Sequence, residues 1–338
     1  MGRQKFERLV VTGGFGFIGS NFIRLLLRRR IGEITNVDNL TYGSNRGNLA
    51  ELREDSRYRF LKSDIVSKKA TNLISEDATA VVNFAAETHV DRSISDSRSF
   101  VNTNILGVYS ILEAMRKARN DIRLVQVGTD EEYGEIASGA FAENDVLHPS
   151  SPYAASKASA SMLINAYHRT YGLKVMITRS TNNFGPYQFP EKLIPKSIIR
   201  ASLGMRVPIY GDGKNIRDWL YVDDNCEAIG RVLHDGRAGE VYNISSGNEL
   251  ENVQVIAEVL SILKKPLGLV KYIEDRPGHD CRYSLDSSKI RTQLGWKPQH
   301  TFHNSLRNTV RWYTEHKSWW TPLASRKILH PTPWRLRW

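Results

Sequence analysis

The sequence has few cysteines and no long apolar run. Cys226 and Cys281 are its only cysteines among 338 residues. Neither has a partner at a metal-binding spacing, so neither a disulfide framework nor a zinc site is expected. No apolar run reaches the length of a membrane-spanning helix, and the start, MGRQKFERLVV, lacks the uncharged stretch of a signal peptide. The sequence therefore predicts a soluble, cytoplasmic protein with reduced thiols, no bound metal and no membrane partner.

Low-complexity segments and internal repeats are also absent. With 41% apolar residues, the chain can bury a substantial core and would ordinarily form about two domains. Strand and helix patterns alternate from Leu9 to about Thr178. This alternation predicts an α/β fold, in which a Rossmann-type, doubly wound parallel sheet is covered by helices.

A strand, a glycine-rich turn and a helix begin the chain. Residues 9–11 are apolar, residues 12–19 read TGGFGFIG, and an amphipathic stretch follows. The glycines let the backbone approach a pyrophosphate, whose charge the helix N-terminus stabilises. Asp38 closes the next apolar segment, where it would accept the ribose hydroxyls and repel a 2′-phosphate. This pattern predicts bound NAD rather than NADP. The alternative is a glycine turn that packs a helix on a sheet without a ligand.

Two adjacent carboxylates, Asp130 and Glu131, follow the apolar residues 124–127. They stand where a buried strand should end, which is where open α/β sheets place their ligands. Two acids can divide acid and base work if their environments separate their pKa values. Because neighbours on a strand face opposite ways, only a bend at the strand end would bring both to one ligand.

A helix is predicted to begin at Pro152, with Ser150 and Ser151 as candidate caps. Tyr153 and Lys157 are then four residues apart and share a face. The ammonium should lie close to the phenol and lower its pKa, which would make Tyr153 a usable base for a sugar hydroxyl. Taken alone, such a pair is common on helix surfaces.

At these residues the chain resembles the extended short-chain dehydrogenase/reductase (NAD-dependent epimerase/dehydratase) family and, within it, the dTDP-glucose 4,6-dehydratases. The resemblance runs through most of the chain, and the TDE triplet, the FPEKLIP segment and the RPGHD segment together are far more specific than the glycines. It also includes NFAAETHVDRSI (83–94), TRSTNNFGPYQFPEKLIP (178–195), PIYGDGKNIRDWLYVDD (208–224), RPGHDCRYSLDSSKI (276–290) and LGWKP (294–298).

The resemblance implies which residues hold the ligands. The implied cofactor contacts are Gly13, Gly16, Phe17, Ile18, Gly19, Asp38, Asn39, Leu40, Thr41, Asp64, Ile65, Phe84, Ala85, Ala86, Thr103, Tyr153, Lys157 and Asn183. The implied nucleotide-sugar contacts are Glu87, Thr129, Asn182, Lys192, Leu193, Pro208, Tyr210, Arg217, Asn252, Arg276 and His279. Arg217 and Arg276 can fork onto a diphosphate, although each alone could be a solvated surface charge.

The implied activity is dehydration of dTDP-glucose to dTDP-4-keto-6-deoxyglucose, with NAD recycled. Tyr153 would take the proton of the hydroxyl at carbon 4 while hydride passes to NAD. Glu131 would then remove the proton at carbon 5 while Asp130 protonates the hydroxyl leaving carbon 6. Thr129 and Lys157 would stabilise the oxygen at carbon 4 and the cofactor ribose. A homodimer is implied through helices near residues 101–115 and 153–171.

Two residues depart from the family pattern STDEVYG. Gly128 replaces the serine and Glu132 replaces the valine. We expect Gly128 to loosen the backbone beside Thr129, and the charge of Glu132 to raise the pKa values of its neighbours. Both changes affect the expected rate more than the type of reaction.

The domain boundaries follow from a change in composition near residue 181. Residues 182–215 are rich in Pro, Gly, Asn and Tyr, which is typical of a segment that wraps a ligand. We expect an NAD-binding domain at 1–180, with returning strand and helix at 218–246. A smaller α/β nucleotide-sugar-binding domain would comprise 181–217 and 247–338, with the site in the cleft between them.

Other functions remain open on the sequence alone. A net charge of +11 and the basic, aromatic tail at 325–338 fit in part a nucleic-acid or anionic-surface binder, although such charge also serves solubility and we expect no nucleic-acid partner. A 4-epimerase or decarboxylase of UDP-sugars, or a dehydratase of a UDP- or GDP-sugar, would share the cofactor turn. An NAD-binding regulator without turnover would not need Thr129, Tyr153 and Lys157.

Overall fold

The structure is a computed structural model that describes residues 6–336. Its strands are β1 (Arg8–Thr12), β2 (Glu33–Asp38), β3 (Tyr58–Lys62), β4 (Ala80–Asn83), β5 (Arg123–Thr129), β6 (Lys174–Ser180), β7 (Asn182–Phe184), β8 (Val207–Tyr210), β9 (Ile216–Tyr221), β10 (Val241–Ile244), β11 (Glu249–Glu251) and β12 (Val270–Ile273). Its α-helices are α1 (Phe17–Arg28), α2 (Lys68–Asp77), α3 (Val90–Ser95), α4 (Arg98–Phe100), α5 (Gly107–Lys117), α6 (Pro152–Tyr171), α7 (Leu193–Ser202), α8 (Val222–Asp235), α9 (Asn252–Ile262), α10 (Ser288–Leu294), α11 (Phe302–Glu315) and α12 (Lys317–Trp320). Short 3₁₀ helices cover Arg46–Leu52, Asp130–Glu132, Leu267–Leu269 and Pro333–Arg335, and a π-helical turn, Val101–Leu106, leads into α5.

Seven strands form one parallel sheet in the order β10-β6-β5-β4-β1-β2-β3. Strand order reverses direction between β1 and β4, which is where a doubly wound sheet opens a crevice at the carboxyl ends of its strands. The predicted α/β class and the doubly wound parallel sheet are confirmed.

Helices cover both faces of this sheet, because successive residues of a buried strand point to opposite sides. Val11 packs in a core cluster with α1 and α8, while its neighbour Val10 packs in a second cluster with α2, α5 and α6. Strands that are apolar on both faces read as continuous hydrophobic runs, which explains the pattern of β1, β4 and β5.

The smaller part of the molecule contains a three-stranded sheet in the order β11-β9-β7 and a two-stranded sheet, β12-β8. Its core includes Phe184, Trp219, Val255 and Leu306, packed among α7, α9 and α11. Here the structure differs from the sequence prediction at one strand. The segment that contains Trp219 was expected to return to the first domain, but it pairs with β7 and β11. Of that segment, α8 and β10 return to the large sheet.

Further along the chain, α10 also packs on the first part, since Ile290 and Trp296 belong to the core cluster of α1 and α8. The expected second domain at 247–338 is therefore interrupted in space around residues 288–296. The proposed division into two domains stays a prediction.

The described part of the basic tail packs on the smaller part of the molecule. Ile328 and Leu329 are buried, and Arg200 donates to the carbonyl of Leu329 at 2.5 Å. The ring of Trp334 lies edge-on to that of Tyr210 at 4.8 Å between centroids. Apolar and main-chain contacts thus anchor residues 328–334, and residues 337–338 lie outside the described part of the chain.

Among residues 6–336 we find no helix whose length and apolar character would let it span a bilayer. The same residues contain no group of three or more His, Cys, Asp or Glu side chains placed to hold a metal ion.

Candidate active site

The glycine-rich turn joins β1 to α1, and its shape requires glycine at its first position. Gly13 has φ +68°, and a Cβ there would lie 2.6 Å from the backbone nitrogen of Ala85. Gly19 would bring a Cβ within 2.5 Å of the carbonyl of Gly13. α1 then begins after Gly16 without a side-chain cap. The first N–H groups of this helix therefore remain available to an anion.

Asp38 ends β2 beside this turn. One of its carboxylate oxygens accepts the N–H of Phe15 at 2.9 Å, and the other accepts the N–H of Leu40 and the hydroxyl of Ser44, each at 2.8 Å. These bonds fix the carboxylate at the carboxyl end of the strand, where it lines the cleft. The placement fits the predicted contact with an adenosine ribose.

One continuous cleft runs from this turn to the predicted catalytic residues. It contains every proposed cofactor residue except Leu40, which adopts φ +58° behind Asp38 and does not line the cleft. Those that line it are Gly13, Gly16, Phe17, Ile18, Gly19, Asp38, Asn39, Thr41, Asp64, Ile65, Phe84, Ala85, Ala86, Thr103, Tyr153, Lys157 and Asn183. A dinucleotide bound along the turn would thus end beside the carboxylates.

The two adjacent carboxylates reach the same cleft because the chain bends at the end of β5. Thr129 is the last strand residue and caps the 3₁₀ turn, Asp130–Glu132, that follows. Its hydroxyl lies 3.4 Å from the N–H of Glu131 and donates to Asp130 at 3.1 Å. Asp130 and Glu131 both line the cleft, so the bend that convergence requires is present.

The environment of Asp130 favours its protonated form. Burial raises its pKa to about 8, the charge of Glu131 adds to the rise, and a hydrogen bond from Thr129 opposes it. Its Oδ2 atom is buried and has no hydrogen-bond partner among the described residues. A proton on this atom would therefore be free for donation to a ligand.

Burial also raises the pKa of Glu131. Arg276, Arg217 and Lys192 oppose this rise, in that order, because three cations favour the ionised carboxylate. The pair thus combines an acid that holds its proton at neutral pH with a carboxylate surrounded by cations.

Tyr153 and Lys157 lie in the first turns of α6, which begins at Pro152 as predicted. Ser151 is the cap and accepts the N–H of Ala154 at 3.1 Å. Both functional side chains are buried and line the cleft. The Lys157 ammonium donates to the carbonyl of Val127 at 2.6 Å.

The expected lowering of the Tyr153 pKa is wrong for this structure. Burial raises the pKa well above its ordinary value, and Glu131 raises it further, while a hydrogen bond with Thr129 opposes the rise. Burial also lowers the pKa of Lys157 to about 8. Desolvation and the nearby carboxylates raise the Tyr153 pKa because burial and like charge both disfavour an ionised phenol.

The proposed substrate residues fall into two groups. Glu87, Thr129, Asn182 and Lys192 line the cleft. The others lie in the smaller part of the molecule and do not line it: Leu193, Pro208, Tyr210, Arg217, Asn252, Arg276 and His279.

Three residues of this second group contact Asp91 or Asp280. Arg276 donates to Asp91 at 2.8 Å, and the Tyr210 hydroxyl donates to the same carboxylate at 3.3 Å. Arg217 donates to the carbonyl of Asp280 at 2.9 Å. The Nε atom of Arg276 is buried and has no hydrogen-bond partner among the described residues. Both arginines lower the pKa of Glu131, against the rise that burial causes.

The comparisons with known proteins agree with this geometry. The sequence model of the family described as GDP-mannose 4,6 dehydratase matches residues 10–309. A dTDP-glucose 4,6-dehydratase of Streptomyces niveus is 47% identical over 323 residues, which cover 94% of this chain and 96% of that protein. The chain belongs to the dTDP-glucose 4,6-dehydratase family.

A solved structure and a second relative extend this family comparison. The crystal structure of a double mutant of the dTDP-glucose 4,6-dehydratase of Streptomyces venezuelae, with NAD bound, has a TM-score of 0.92 and 47% identity, covering 94% of this chain and 99% of that one. The low-salt glycan biosynthesis protein Agl12 of Haloferax volcanii is 46% identical over 305 residues, which cover 90% of this chain and 98% of that protein.

Gly128 and Glu132, the two residues that depart from the expected family pattern, lie next to one another in the structure. Gly128 lies inside β5, opposite Arg179 of β6. A Cβ at Gly128 would lie 2.5 Å from a carboxylate oxygen of Glu132, so the glutamate fills the space that the glycine leaves. Glu132 contributes to the raised pKa of Tyr153, whereas the pKa of Asp130 is raised by burial and Glu131.

Sequence reasoning assigned no role to Asp91, Glu191 and Tyr42. Asp91 holds Arg276 and Tyr210, as described above. The Tyr42 hydroxyl donates to Glu191, and both residues line the cleft. Asp91 and Glu191 stand inside segments that carry the family resemblance, HVDRSI and FPEKLIP. That placement was the available signal for both.

Proposed function

We propose that this protein dehydrates dTDP-glucose to dTDP-4-keto-6-deoxyglucose, using NAD that is regenerated in each turnover. The observation that carries the proposal is the convergence of Asp130, Glu131 and Tyr153 on a cleft that begins at a dinucleotide turn. An epimerase needs a base and a dinucleotide, whereas elimination of water also needs an acid and a second base. The family membership supports the same reaction.

The residues along the glycine-rich turn fit the cofactor. The N–H groups at the start of α1 would hold the pyrophosphate, Asp38 would accept the ribose hydroxyls, and Lys157 would donate to the second ribose. When bound, NAD supplies a hydride acceptor for sugar carbon 4 and later a hydride donor for carbon 6.

In the first step, Tyr153 takes the proton of the carbon 4 hydroxyl as the ketone forms. Its pKa is raised well above the ordinary value in the unliganded site. A positive charge brought next to the phenol would lower that pKa, since opposite charge favours the ionised form. Tyr153 would therefore become an effective base once the cofactor is bound, and Thr129 would donate to the oxygen at carbon 4.

In the second step, Glu131 takes the proton at carbon 5, which the ketone has acidified. Asp130, with a pKa of about 8, gives its proton to the hydroxyl that leaves carbon 6 as water. Glu131 returns the proton to carbon 5 when carbon 6 is reduced. The proposed roles follow from the two environments, because an acid must hold its proton and a base must be ionised at working pH.

The nucleotide sugar would extend from these residues toward the smaller part of the molecule. Lys192, Arg217 and Arg276 would neutralise the diphosphate, and Leu193 and Pro208 would contact the base. The remaining proposed contacts are Glu87, Thr129, Asn182, Tyr210, Asn252 and His279. Cations that favour ionised Glu131 would thus also hold the substrate.

The direct test is incubation of the purified protein with dTDP-glucose, with UDP-glucose and GDP-mannose as separate samples. We expect the alkaline absorbance of a 4-keto-6-deoxy product with dTDP-glucose, without added oxidant. A product from another nucleotide sugar alone would change the proposed substrate. Epimerised sugar, or stoichiometric release of NADH, would refute the proposed reaction.

Glu131→Gln and Asp130→Asn distinguish the two proposed roles. Glu131→Gln cannot accept the carbon 5 proton, so bound NADH should accumulate while exchange of that hydrogen with solvent deuterium falls by roughly 10²- to 10⁴-fold. Asp130→Asn keeps the base, so exchange should continue while water loss slows. Undiminished dehydration by Glu131→Gln would remove this residue from the mechanism.

A homodimer belongs to the same proposal, because the helices expected at its interface leave an apolar face exposed. The Tyr167 hydroxyl on α6 donates to Glu113 on α5 at 2.8 Å, so the two helices are held side by side. The exposed large apolar residues of these helices and of the π-helical turn before α5 are Val101, Leu106, Tyr109, Met162 and Tyr171. Exposed apolar patches of this kind mark interaction sites. A cytoplasmic location, as expected for this chemistry, is likewise proposed.

A further inference from the structure

A buried ion pair lies directly beneath the catalytic turn and has no part in the proposed mechanism. Glu132 and Arg179 are almost completely buried, and the guanidinium Nε donates to the carboxylate at 2.8 Å. Removing two charges from water is costly and is repaid only where further hydrogen bonds satisfy both groups. The partners of each group therefore indicate what the pair does.

Glu132 connects three elements, β5 and α6, which carry Thr129 and Tyr153, and the neighbouring strand β6. Its Oε1 atom lies 3.2 Å from the N–H of Thr129 at the end of β5. Its Oε2 atom accepts the hydroxyl of Ser161 on α6 at 2.7 Å and the guanidinium of Arg179 on β6. One carboxylate thus ties the turn of Thr129 to the helix that presents Tyr153.

Arg179 is satisfied on its other side as well. It donates to the hydroxyl of Tyr133 at 2.8 Å, and that hydroxyl donates to Asn243 at 3.0 Å. The guanidinium also lies 4.6 Å from the centre of the Tyr133 ring. Arg179 lies on β6 and Asn243 on β10, so these contacts hold Glu132 in a defined position relative to the large sheet.

Gly128 is the residue that admits this pair. Any Cβ at position 128 would approach Oε1 of Glu132 to 2.5 Å and the carbonyl of Thr178 to 2.8 Å. Such contacts are shorter than packed atoms allow, so the carboxylate would have to move away from the N–H of Thr129. Gly128 and Glu132 are therefore coupled in space, and the carbonyl of Thr178 also limits a side chain at position 128.

We propose that Glu132 is a positioning residue for the dehydration reaction: held by Arg179 in the space above Gly128, it fixes Thr129 and helix α6 relative to one another. The role of Thr129 and Tyr153 in that reaction rests on the proposed function. Glu132 itself does not line the cleft.

The charge of the carboxylate also acts on Tyr153 and Lys157. It is among the groups that raise the pKa of Tyr153, with Glu131 and Asp130 acting in the same direction and Thr129 opposing. Burial lowers the pKa of Lys157, and the charge of Glu132 opposes this lowering. Removing its charge should lower both pKa values.

Glu132→Gln tests the proposal, since it keeps the size of the side chain and removes its charge. The amide cannot accept from Thr129, Ser161 and Arg179 together, so the turn should shift and kcat should fall about 10- to 100-fold. NAD content and KM should stay within about twofold. In addition, the pH profile of single-turnover NADH formation should move to lower pH, which lost stability alone would not cause.

Asp224→Asn is the matched control. Asp224 is another buried carboxylate that accepts two backbone N–H groups, those of Gln299 at 3.0 Å and His300 at 3.1 Å, but it lies on α8 away from the cleft. Its variant should lose stability and keep the wild-type pH profile. An equal change of profile in both variants, or none in Glu132→Gln, would overturn the proposal.

A double-mutant cycle tests the part played by Gly128. Gly128→Ala should lower kcat more in the wild-type background than in a protein that already carries Glu132→Ala. Only the wild-type background retains the carboxylate that the new Cβ would approach at 2.5 Å. The contact with Thr178 is common to both and cancels. Strictly additive effects would show that the two positions are independent.

Amide hydrogen exchange separates this proposal from the proposed function. Without any substrate, the peptide that contains residues 128–134 should exchange faster in Glu132→Gln than in wild type, because the amide cannot satisfy Thr129, Ser161 and Arg179 together. If Glu132→Gln exchanges faster but the wild-type protein leaves dTDP-glucose unchanged, the positioning contact is supported and the proposed function is refuted. Unchanged exchange with active wild type would refute the positioning role alone.

Discussion

At the scale of single residues, the site depends on how burial shifts proton affinity. Asp130 and Glu131 are neighbours in sequence, yet the bend after β5 gives them different surroundings. Burial of Asp130 keeps its proton, while cations from the smaller part of the molecule favour ionised Glu131. The acid and base roles proposed for the two residues thus depend on position and not on residue type.

Asp130→Asn should make the protein more stable than wild type as pH rises. The folded pKa of about 8 lies above the ordinary value near 4, so the stabilising contribution of Asp130 is complete below pH 4. It is lost as pH rises through 8, by at most about 1.4 kcal/mol per pH unit. Asparagine does not titrate, so the difference in Tm between variant and wild type should grow from pH 5 to pH 8.5.

Asp286→Asn is the control for this trend. Hydrogen bonds from Ser288 lower the pKa of Asp286, so its contribution is present above its ordinary pKa and is lost only at acid pH. Its variant should show no gain in Tm between pH 5 and pH 8.5. The same flat result for Asp130→Asn would contradict the assignment of a protonated Asp130.

At the scale of secondary-structure elements, local turns place the chemistry. The β1–α1 turn lies against Phe84 and Ala85, which follow β4, and the Ser151 cap starts α6 just before Tyr153. In both cases a few residues with special backbone or capping roles determine where a functional group stands. Substitutions at such positions should affect binding more than overall stability.

Gly13→Ala should impair NAD binding, and Gly204→Ala provides a matched control. Both glycines have φ +68°, so alanine carries a similar backbone penalty of about 1 kcal/mol at each. Only at Gly13 would the Cβ meet other atoms, at 2.6 Å from the nitrogen of Ala85, whereas Gly204 has nothing within 4 Å. NAD affinity, measured by fluorescence titration, should fall at least about tenfold in Gly13→Ala alone. Equal affinities in the two variants would argue against the turn as the cofactor site.

At the scale of the whole molecule, the exposed face of α5, α6 and the π-helical turn before α5 is the feature that a monomer leaves unexplained. Leu106 and Met162 are 49% and 66% exposed, although their helices are otherwise packed in the core beside the large sheet. A second copy of the chain would cover this face through a symmetric interface. The catalytic helix α6 would then be held from both sides.

The double variant Leu106→Glu/Met162→Glu should be monomeric if this face forms the dimer. Charged side chains placed in an apolar interface are costly to desolvate. Val146→Glu, at a residue 82% exposed outside these helices, should leave the mass by light scattering unchanged. A wild-type protein of monomer mass, or a double variant that stays dimeric, would refute this interface.

Features built from neighbouring residues could be predicted from the sequence alone. The glycine turn, the helix start at Pro152 and the four-residue spacing of Tyr153 and Lys157 are local, because helical geometry and caps depend on nearby residues. The parallel sheet followed likewise from alternating patterns, and the carboxylates were placed correctly at the end of β5.

Features that need distant partners were decided only by the tertiary structure. Glu132 meets Arg179, 47 residues further along the chain, and Asp91 meets Arg276, 185 residues further along. Trp219 lies in the small sheet because its strand, β9, pairs with β7 and β11. The pKa of Tyr153 is raised mainly because burial removes water from the phenol. The spacing of residues along the sequence does not show how deeply a side chain is buried. Local geometry depends on adjacent residues and can be predicted from the sequence. Ion pairs, strand pairing and the desolvation of titratable groups depend on residues that only the folded chain brings together.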